Sequence, residues 1–252
     1  MMKIAMIASR DRSGASLICI RFSSRKGDPR DSLRRKGPEC DAPSRGGGFL
    51  PQGKKVVTSP VLGWAVADES YRHILDHADE FFRSVAESQP QNLQCGRGCS
   101  LCCYGLFEIG SGDVPVIAEG LARLHPMRRK KIIRRAIDII ASSAHPNLRE
   151  CSPSEKQKFF DQTASVACPN LSDKGECMIY DSRPLVCRTF GLPVRDTQRY
   201  IGDICELNFT EASAGEKKTA AWDLQWEDEL GPEDEFTVPE AIVMAARLRG
   251  WL

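Results

Sequence analysis

The sequence predicts a mainly α fold with short irregular β segments, and three observations carry that expectation. Apolar residues recur at helical spacing in five stretches between residues 66 and 252. Most of these stretches open on Ser, Thr or Asp with a nearby Pro or a following acidic residue, the signature of a capped helix start. Two of the helices lead directly into two cysteine-rich segments, which lack any sustained period.

Taken in order, residues 1–60 are rich in Arg, Ser, Gly and Pro and are expected to be disordered, because such a composition buries too little surface to offset the ordering of the backbone. Residues 1–55 carry thirteen Lys and Arg against five Asp and Glu, so a net charge of +1 for the chain leaves the remainder at −7. An Arg-rich, acid-poor arm suits a transit peptide or a nucleic-acid contact, and the run Leu17–Ile20 is too short for a signal-peptide core. The abrupt change in composition also fits a true start near Val56 or Val57. Residues 61–252 then form the expected folded domain, with its motif core at 90–210.

The first helix starts near Val66 with Asp68 as N-cap, presents Tyr71, Ile74, Leu75, Ala78, Phe81, Phe82 and Val85 on one face, and ends at Pro90. His73 and His77 stand one turn apart with Glu80 a turn on, a spacing that can ligate a metal, although the sequence places them on a polar face away from the stripe. Asp113 caps a second helix that has Pro115 in its first turn and runs to Leu124, with Ile117, Leu121 and Leu124 facing the core. A third helix over 127–140 carries an apolar stripe of Ile132, Ile133, Ala136, Ile137 and Ile140. Six cations crowd its first two turns, which opposes the helix dipole and calls for an acidic partner inside or outside the chain. Ser152-Pro-Ser-Glu155 is a capping box that opens a fourth helix through Phe159 and Phe160 toward Val166. Leu192–Arg195 and Arg199–Cys205 read as short strands around Thr197 and Gln198. From Glu206 to Glu240 the chain has eleven acidic residues and two lysines. This stretch, with Trp222 and Trp226, either lies against the basic turn at 128–135 or is a solvated connector. Thr237, Pro239 and Glu240 open a last helix through Ile242, Val243, Ala246 and Leu248.

The chemistry lies in the cysteines. Eight of the eleven fall in the motifs and their tail, at Cys95, Cys99, Cys102, Cys103, Cys168, Cys177, Cys187 and Cys205, while Cys19, Cys40 and Cys151 are bystanders. Crowded thiolates repel one another unless a cation or an iron–sulfur core sits among them. The two-residue gap between Cys99 and Cys102 is that of zinc knuckles and iron–sulfur loops, and Gly96 and Gly98 offer positive φ and close approach. Disulfides are the alternative; adjacent Cys102 and Cys103 and the lack of a secretory signal weigh against it. Tyr180, Asp181, Arg183 and Arg188 sit between and beside the later cysteines. Their arginines either offset the charge of a thiolate cluster or bind an anionic substrate.

The pairing of CxxxCxxCC at 95–103 with Cys168-Pro-Asn-Leu and with Cys177-Met-Ile-Tyr-Asp-Ser-Arg-Pro-Leu-Val-Cys-Arg-Thr-Phe190 closely resembles the YkgJ-like cysteine-cluster family over roughly residues 90 to 210. That resemblance implies chelation of zinc or iron by the matching cysteines. A flagellin lysine methylase is similar in carrying such a cluster, which implies protein modification as a second reading.

All-sulfur ligation suits Zn2+ and [4Fe–4S] alike, so spacing leaves the metal open, as it does the choice between one centre and two. Cys95, Cys99 and Cys102 also have the spacing of radical S-adenosylmethionine enzymes, but the strand–helix repeats of a barrel are missing. No glycine-rich dinucleotide loop and no defensible Ser-His-Asp or His-Cys set stands in the sequence. A third reading, an interaction module using the basic helix, lacks the interleaved aromatics of a nucleic-acid surface. With no apolar run long enough to span a bilayer, the expectation is a cytoplasmic metal-binding protein of mainly helical, metal-centred build.

Overall fold

A computed structural model describes residues 68–143, 146–148, 150–197, 199–202, 205–228, 230 and 234–252, with the backbone of four short strands ahead of them. Those strands lie in the segment expected to be disordered: β1 (Lys3–Ala5) pairs antiparallel with β4 (Arg21–Ser23), and β2 (Ala8–Arg10) with β3 (Ser16–Ile18). The rest of residues 1–67, including Cys19, Cys40 and the alternative start at Val56 or Val57, lies outside the described residues.

The folded part is mainly α with short β segments. Helix α1 (Glu69–Ser88) buries Tyr71, Ile74, Leu75, Ala78 and Val85, as its spacing requires. Asp68 holds the N-cap position without a side-chain bond to the helix, so its backbone carbonyl alone accepts from Arg72 N–H, at 3.0 Å. His73 is exposed, but His77 is not on a solvated face. Its ring lies 4.2 Å from that of Trp226 and 5.6 Å from that of Trp222. The reason is helical geometry: His77 follows Ile74 by three residues and precedes Phe81 by four, which puts it at the edge of the apolar stripe. It is packed among aromatic rings.

Helix α2 (Asp113–Ala122), α3 (Pro126–Ser142) and α8 (Val238–Leu248) pack on one another around Ile117, Leu121, Ile132, Ala136, Ile242 and Ala246. Between them in sequence come α4 (Pro153–Thr163), α5 (Leu185–Thr189), α6 (Ala214–Thr219) and α7 (Gln225–Asp228). The capping boxes at Ser152/Glu155 and Thr237/Glu240 are both formed. Asp113 is not an N-cap; Gly112 takes that position. The Asp113 carboxylate is buried instead, accepting from Tyr71 Oη at 2.5 Å and from Leu185 N–H at 2.9 Å, and so ties α1 and the first turn of α5 to α2. On α3 the stripe is shorter than its spacing suggests. Ile132, Ile133 and Ala136 are buried, Ile140 is half-buried and Ile137 is exposed, because α8 covers only part of that face.

Two small sheets complete the fold. β5 (Glu108–Ile109) pairs antiparallel with β9 (Phe236–Thr237). β6 (Val194–Asp196) lies between antiparallel β7 (Arg199–Gly202) and parallel β8 (Trp222–Asp223). The turn joining β6 to β7 places Thr197 at φ 51°, where its N–H is held by Asp223 Oδ1 at 3.1 Å. The acidic 206–240 stretch does not lie on the basic turn through its tryptophans. Trp222 is almost fully buried in the core built on α1, whose apolar face offers far more burial than a cationic surface. Two of the α3 cations share Asp173 as partner, Lys131 at 3.1 Å and Arg135 at 2.9 Å, and Arg134 pairs with Asp138 at 3.2 Å.

Two large apolar cores form among the described residues, one on α1 with Leu185, Leu192, Val194 and Trp222, the other among α2, α3 and α8, and a smaller third one gathers Leu106, Leu148, Phe159 and Phe160. Of these, the first has Cys95 packed against it and the second Cys168 and Cys177.

Candidate metal centre

Helix α1 ends where the Gln89 N–H bonds the Val85 carbonyl at 2.8 Å, and the chain turns into Cys95. Gly98 adopts φ 99°, as a tight loop demands, and Cys99 N–H closes a turn onto the Gly96 carbonyl at 3.0 Å. Gly96 itself does not take positive φ, so only one of the two glycines serves as the spacing suggests. A 3-10 turn over Leu101–Cys103 follows. The second cysteine segment is fastened to the first by backbone bonds: Cys168 N–H donates to the Cys103 carbonyl at 2.7 Å and Gly105 N–H to Val166 at 2.8 Å. Residues 168–177 form a narrow loop, with Leu171 bridged to Cys177 and Gly175 at φ 79° near the tip that carries Asp173. A 3-10 turn over Tyr180–Ser182 then leads into α5, which carries Cys187. That turn sits so close to α2 that a Cβ on Gly120 would lie 2.7 Å from Ser182 Cβ.

Six thiols from these segments line one pocket: Cys99, Cys102, Cys103, Cys168, Cys177 and Cys187. Its remaining wall is largely apolar, with Phe107, Ile179, Pro184 and Val238. All nine described cysteines are free thiols. Among the described residues no three ligating side chains are already gathered around a common point, so the six line a pocket and do not form a closed shell.

The electrostatics say what the pocket lacks. Burial raises Cys168 to about 12 and pushes Cys177 upward as well. Cys187 is held well above the ordinary thiol range by burial and then by the neighbouring sulfurs of Cys102, Cys168 and Cys177. Cys102 is raised by its hydrogen bond with Cys103 and by burial. Working the other way are nearby backbone amides, which lower the thiols: those of Asn170 and Leu171 for Cys168 and that of Ile179 for Cys177, with Leu171 N–H itself donating to the Cys168 carbonyl at 3.0 Å. Amides two and three residues past a cysteine are the donors of a metal knuckle, and they stabilise a thiolate, not a thiol. Six half-buried sulfurs, two of them beside such amides, fit a soft cation, which would supply the positive charge that deprotonation of the set requires.

Of the polar residues expected beside the cluster, Tyr180 and Arg183 line the pocket. Arg183 lies over the Tyr180 ring at 3.8 Å, donates to the Cys187 carbonyl at 3.3 Å, and favours the charged forms of Cys102 and Cys177. Asp181 is exposed and pairs with Arg97 at 2.6 Å; that guanidinium also lies 4.3 Å from the Tyr180 ring. Arg188 is buried away from the pocket, bonded to Asp79 and to the carbonyls of Arg183 and Asp181, so it anchors α5 on α1.

Cys95 and Cys205 are not in the pocket lining. The influence of each on the other raises Cys95 and lowers Cys205 to about 6. Asn208 Nδ2 donates to Cys95 Sγ at 3.2 Å and to the Gly191 carbonyl at 2.7 Å, while its Oδ1 accepts from Gln94 N–H at 2.8 Å. Sequence reasoning passes over Asn208, as it does Asn170, whose buried Oδ1 has no hydrogen-bond partner beside the six thiols. The one sequence signal for Asn208 is its place three residues after Cys205.

Residues 94–206 match the family model described as "CxxCxxCC: Putative zinc- or iron-chelating domain". No curated protein and no solved structure matches the chain. The matched span contains all six pocket thiols and both members of the outlying pair, and its pattern is that of the resemblance drawn from the sequence. Residues 94–206, which supply all but one of the residues lining the pocket, are thus the part of the chain that is similar to the zinc- or iron-chelating domains of that model.

Proposed function

We propose that the protein binds zinc or iron in the pocket through Cys99, Cys102, Cys103, Cys168, Cys177 and Cys187. The observation that carries this reading is the convergence of six thiols from two distant segments on one apolar-walled pocket. Six sulfurs exceed the four that one tetrahedral ion or one [4Fe–4S] cluster takes from protein. A two-metal thiolate cluster with shared sulfurs, or a single centre with two thiols beside it, are both compatible with that number. Tyr180 and Arg183 flank the centre, the guanidinium offsetting part of the thiolate charge. Nine free thiols suit a reducing compartment, so the cytoplasm is the proposed location. Among the described residues no helix is long and apolar enough to cross a membrane.

The basic helix α3 does not favour a nucleic-acid role, since Lys131 and Arg135 are engaged by Asp173 and Arg134 by Asp138. The test is metal and acid-labile sulfide content, with the visible spectrum, on protein purified anaerobically from cells given both metals. Iron with sulfide and a broad absorbance that bleaches on reduction is the iron–sulfur outcome. Colourless protein with stoichiometric zinc is the zinc outcome. Protein with neither metal and fully alkylatable pocket thiols overturns the proposal.

A further inference from the structure

We infer that Asn170 is a ligand of the metal centre, its side-chain oxygen adding one neutral donor to the sulfurs of the pocket. The inference rests on the reading that this pocket binds zinc or iron. No part of the cysteine pattern points to the residue, which stands two places past Cys168, between Pro169 and Leu171.

Asn170 lines the pocket together with the six thiols and is 2% exposed, yet its Oδ1 accepts no hydrogen bond. A buried carbonyl oxygen that has given up water without gaining a donor is destabilising, and folded proteins keep few of them. Among the described residues four buried side-chain atoms lack a hydrogen bond, and the other three are both oxygens of Glu108 and Nε of Arg195. Those three belong to ion pairs, Glu108 with Lys156 at 2.7 Å and Arg195 with Asp223 at 3.1 Å. Asn170, being uncharged, has no such compensation. Asn208, the buried asparagine beside Cys95, makes the contrast. Its Oδ1 accepts from Gln94 N–H while Nδ2 donates to Gly191 and to Cys95 Sγ, so both ends of that amide are in use.

The loop fixes Asn170 from both sides. Leu171 N–H closes a turn onto the Cys168 carbonyl at 3.0 Å, Met178 N–H bonds the Asn170 carbonyl at 2.9 Å, and Ser172 N–H bonds the Glu176 carbonyl at 2.8 Å. Pro169 restricts the backbone immediately before it. A donor carried on so constrained a turn loses little freedom when it engages an ion. The oxygen also answers the charge of the set. Six thiolates would bring six negative charges to one or two divalent cations, whereas a carboxamide adds a donor and no charge. Zinc and iron both accept oxygen beside other donors.

The test loads the full chain anaerobically with zinc, or with iron if iron is the metal it retains, and records X-ray absorption at the edge of that metal. For zinc, oxygen at about 2.0–2.2 Å separates from sulfur at about 2.3 Å. The expected result is a shell of sulfur with one oxygen in the parent, the oxygen lost in Asn170→Leu and kept in Asn170→Asp. Metal affinity, measured by competition with a chromophoric chelator, should fall about tenfold or more in Asn170→Leu. The metal-free Asn170→Leu protein should have a urea midpoint no lower than the parent's, since an apolar group of similar size replaces an unpartnered acceptor. A lower midpoint with unchanged metal affinity is the mark of a structural residue and overturns the inference. An all-sulfur shell in the parent overturns it too, as does an oxygen that persists in Asn170→Leu, which would belong to solvent. Asn170→Ala removes the same oxygen without added bulk and gives the same reading if the Leu variant does not fold. A parent that takes up neither zinc nor iron contradicts the metal proposal itself, whereas one that binds metal through sulfur alone contradicts only the role of Asn170.

Discussion

At the scale of single residues, Gly191 shows how closely the outlying thiol pair is packed. A methyl group there would meet Cys95 Sγ at 2.6 Å and Asn208 Nδ2 at 2.9 Å, and neither has room to move, because Asn208 is bonded on three sides. Gly191→Ala should therefore cost about 1–3 kcal/mol through overpacking, read as a lower denaturant midpoint with an unchanged slope. An unchanged midpoint would mean that the Cys95 loop yields freely. The cysteines themselves were legible in the sequence because spacing is a property of the chain. Their separation into a group of six and a group of two was not, because it depends on which core each segment packs against. Asn208 and Asp113 were hidden for a related reason: a lone Asn after a cysteine, or an Asp before a helix, has a common local role that its sequence neighbours suggest. Asp113 was expected to cap its own helix. Its true partners, Tyr71 and Leu185, lie 42 and 72 residues away.

At the scale of elements, buried charge links the two-stranded β5–β9 sheet to α4. Lys156 on α4 is nearly buried and pairs with Glu108 of β5 and with Glu235 just ahead of β9. Glu108 is raised from 4.5 to about 7, by burial first, with Lys156 opposing and Glu235 adding to the rise. Its folded form thus keeps a proton that the unfolded chain loses near its ordinary value. Glu108 consequently adds stability below about pH 4.5 that is lost as pH rises through about 7. Glu108→Gln should flatten the decline between those limits, measured as urea midpoint against pH with the parent alongside. Equal slopes in the two proteins would remove Glu108 as the titrating group. By contrast Asp173, 76% exposed, joins Lys131 and Arg135 across solvent, so Asp173→Asn should barely move the thermal midpoint. A larger loss in thermal unfolding would show that this contact positions the Cys168–Cys177 loop. The helices were readable because period and capping boxes are local signals, and the boxes at Ser152 and Thr237 formed as written. Helix environment was less readable. The stripe of α3 runs past the area that α8 covers, and His77 faces tryptophans that arrive from residues 222 and 226.

At the scale of the molecule, the pocket thiols come from residues 99–103 and 168–187, and the backbone links from Cys168 to Cys103 and from Gly105 to Val166 already hold these segments together. The helices α2, α3 and α8 bury their own faces on one another, where Ile117, Leu121, Ile132 and Ala245 are fully buried, and Cys168 and Cys177 are only partly buried against that core. A metal in the pocket would therefore act on the cysteine loops far more than on that helical core. Its binding energy would appear as ordering of the loops, since buried thiolates without a cation repel one another. The prediction is a selective loss on chelation. Hydrogen exchange on metal-loaded and chelator-treated protein should show the amides of Asn170, Leu171 and Ile179, which lie two and three residues past Cys168 and two past Cys177, losing protection by tenfold or more, while amides within α3 and α8 change little. Uniform loss across α3 and α8 would mean that the metal nucleates the whole domain. No change at the three amides would mean that they serve the backbone turns alone.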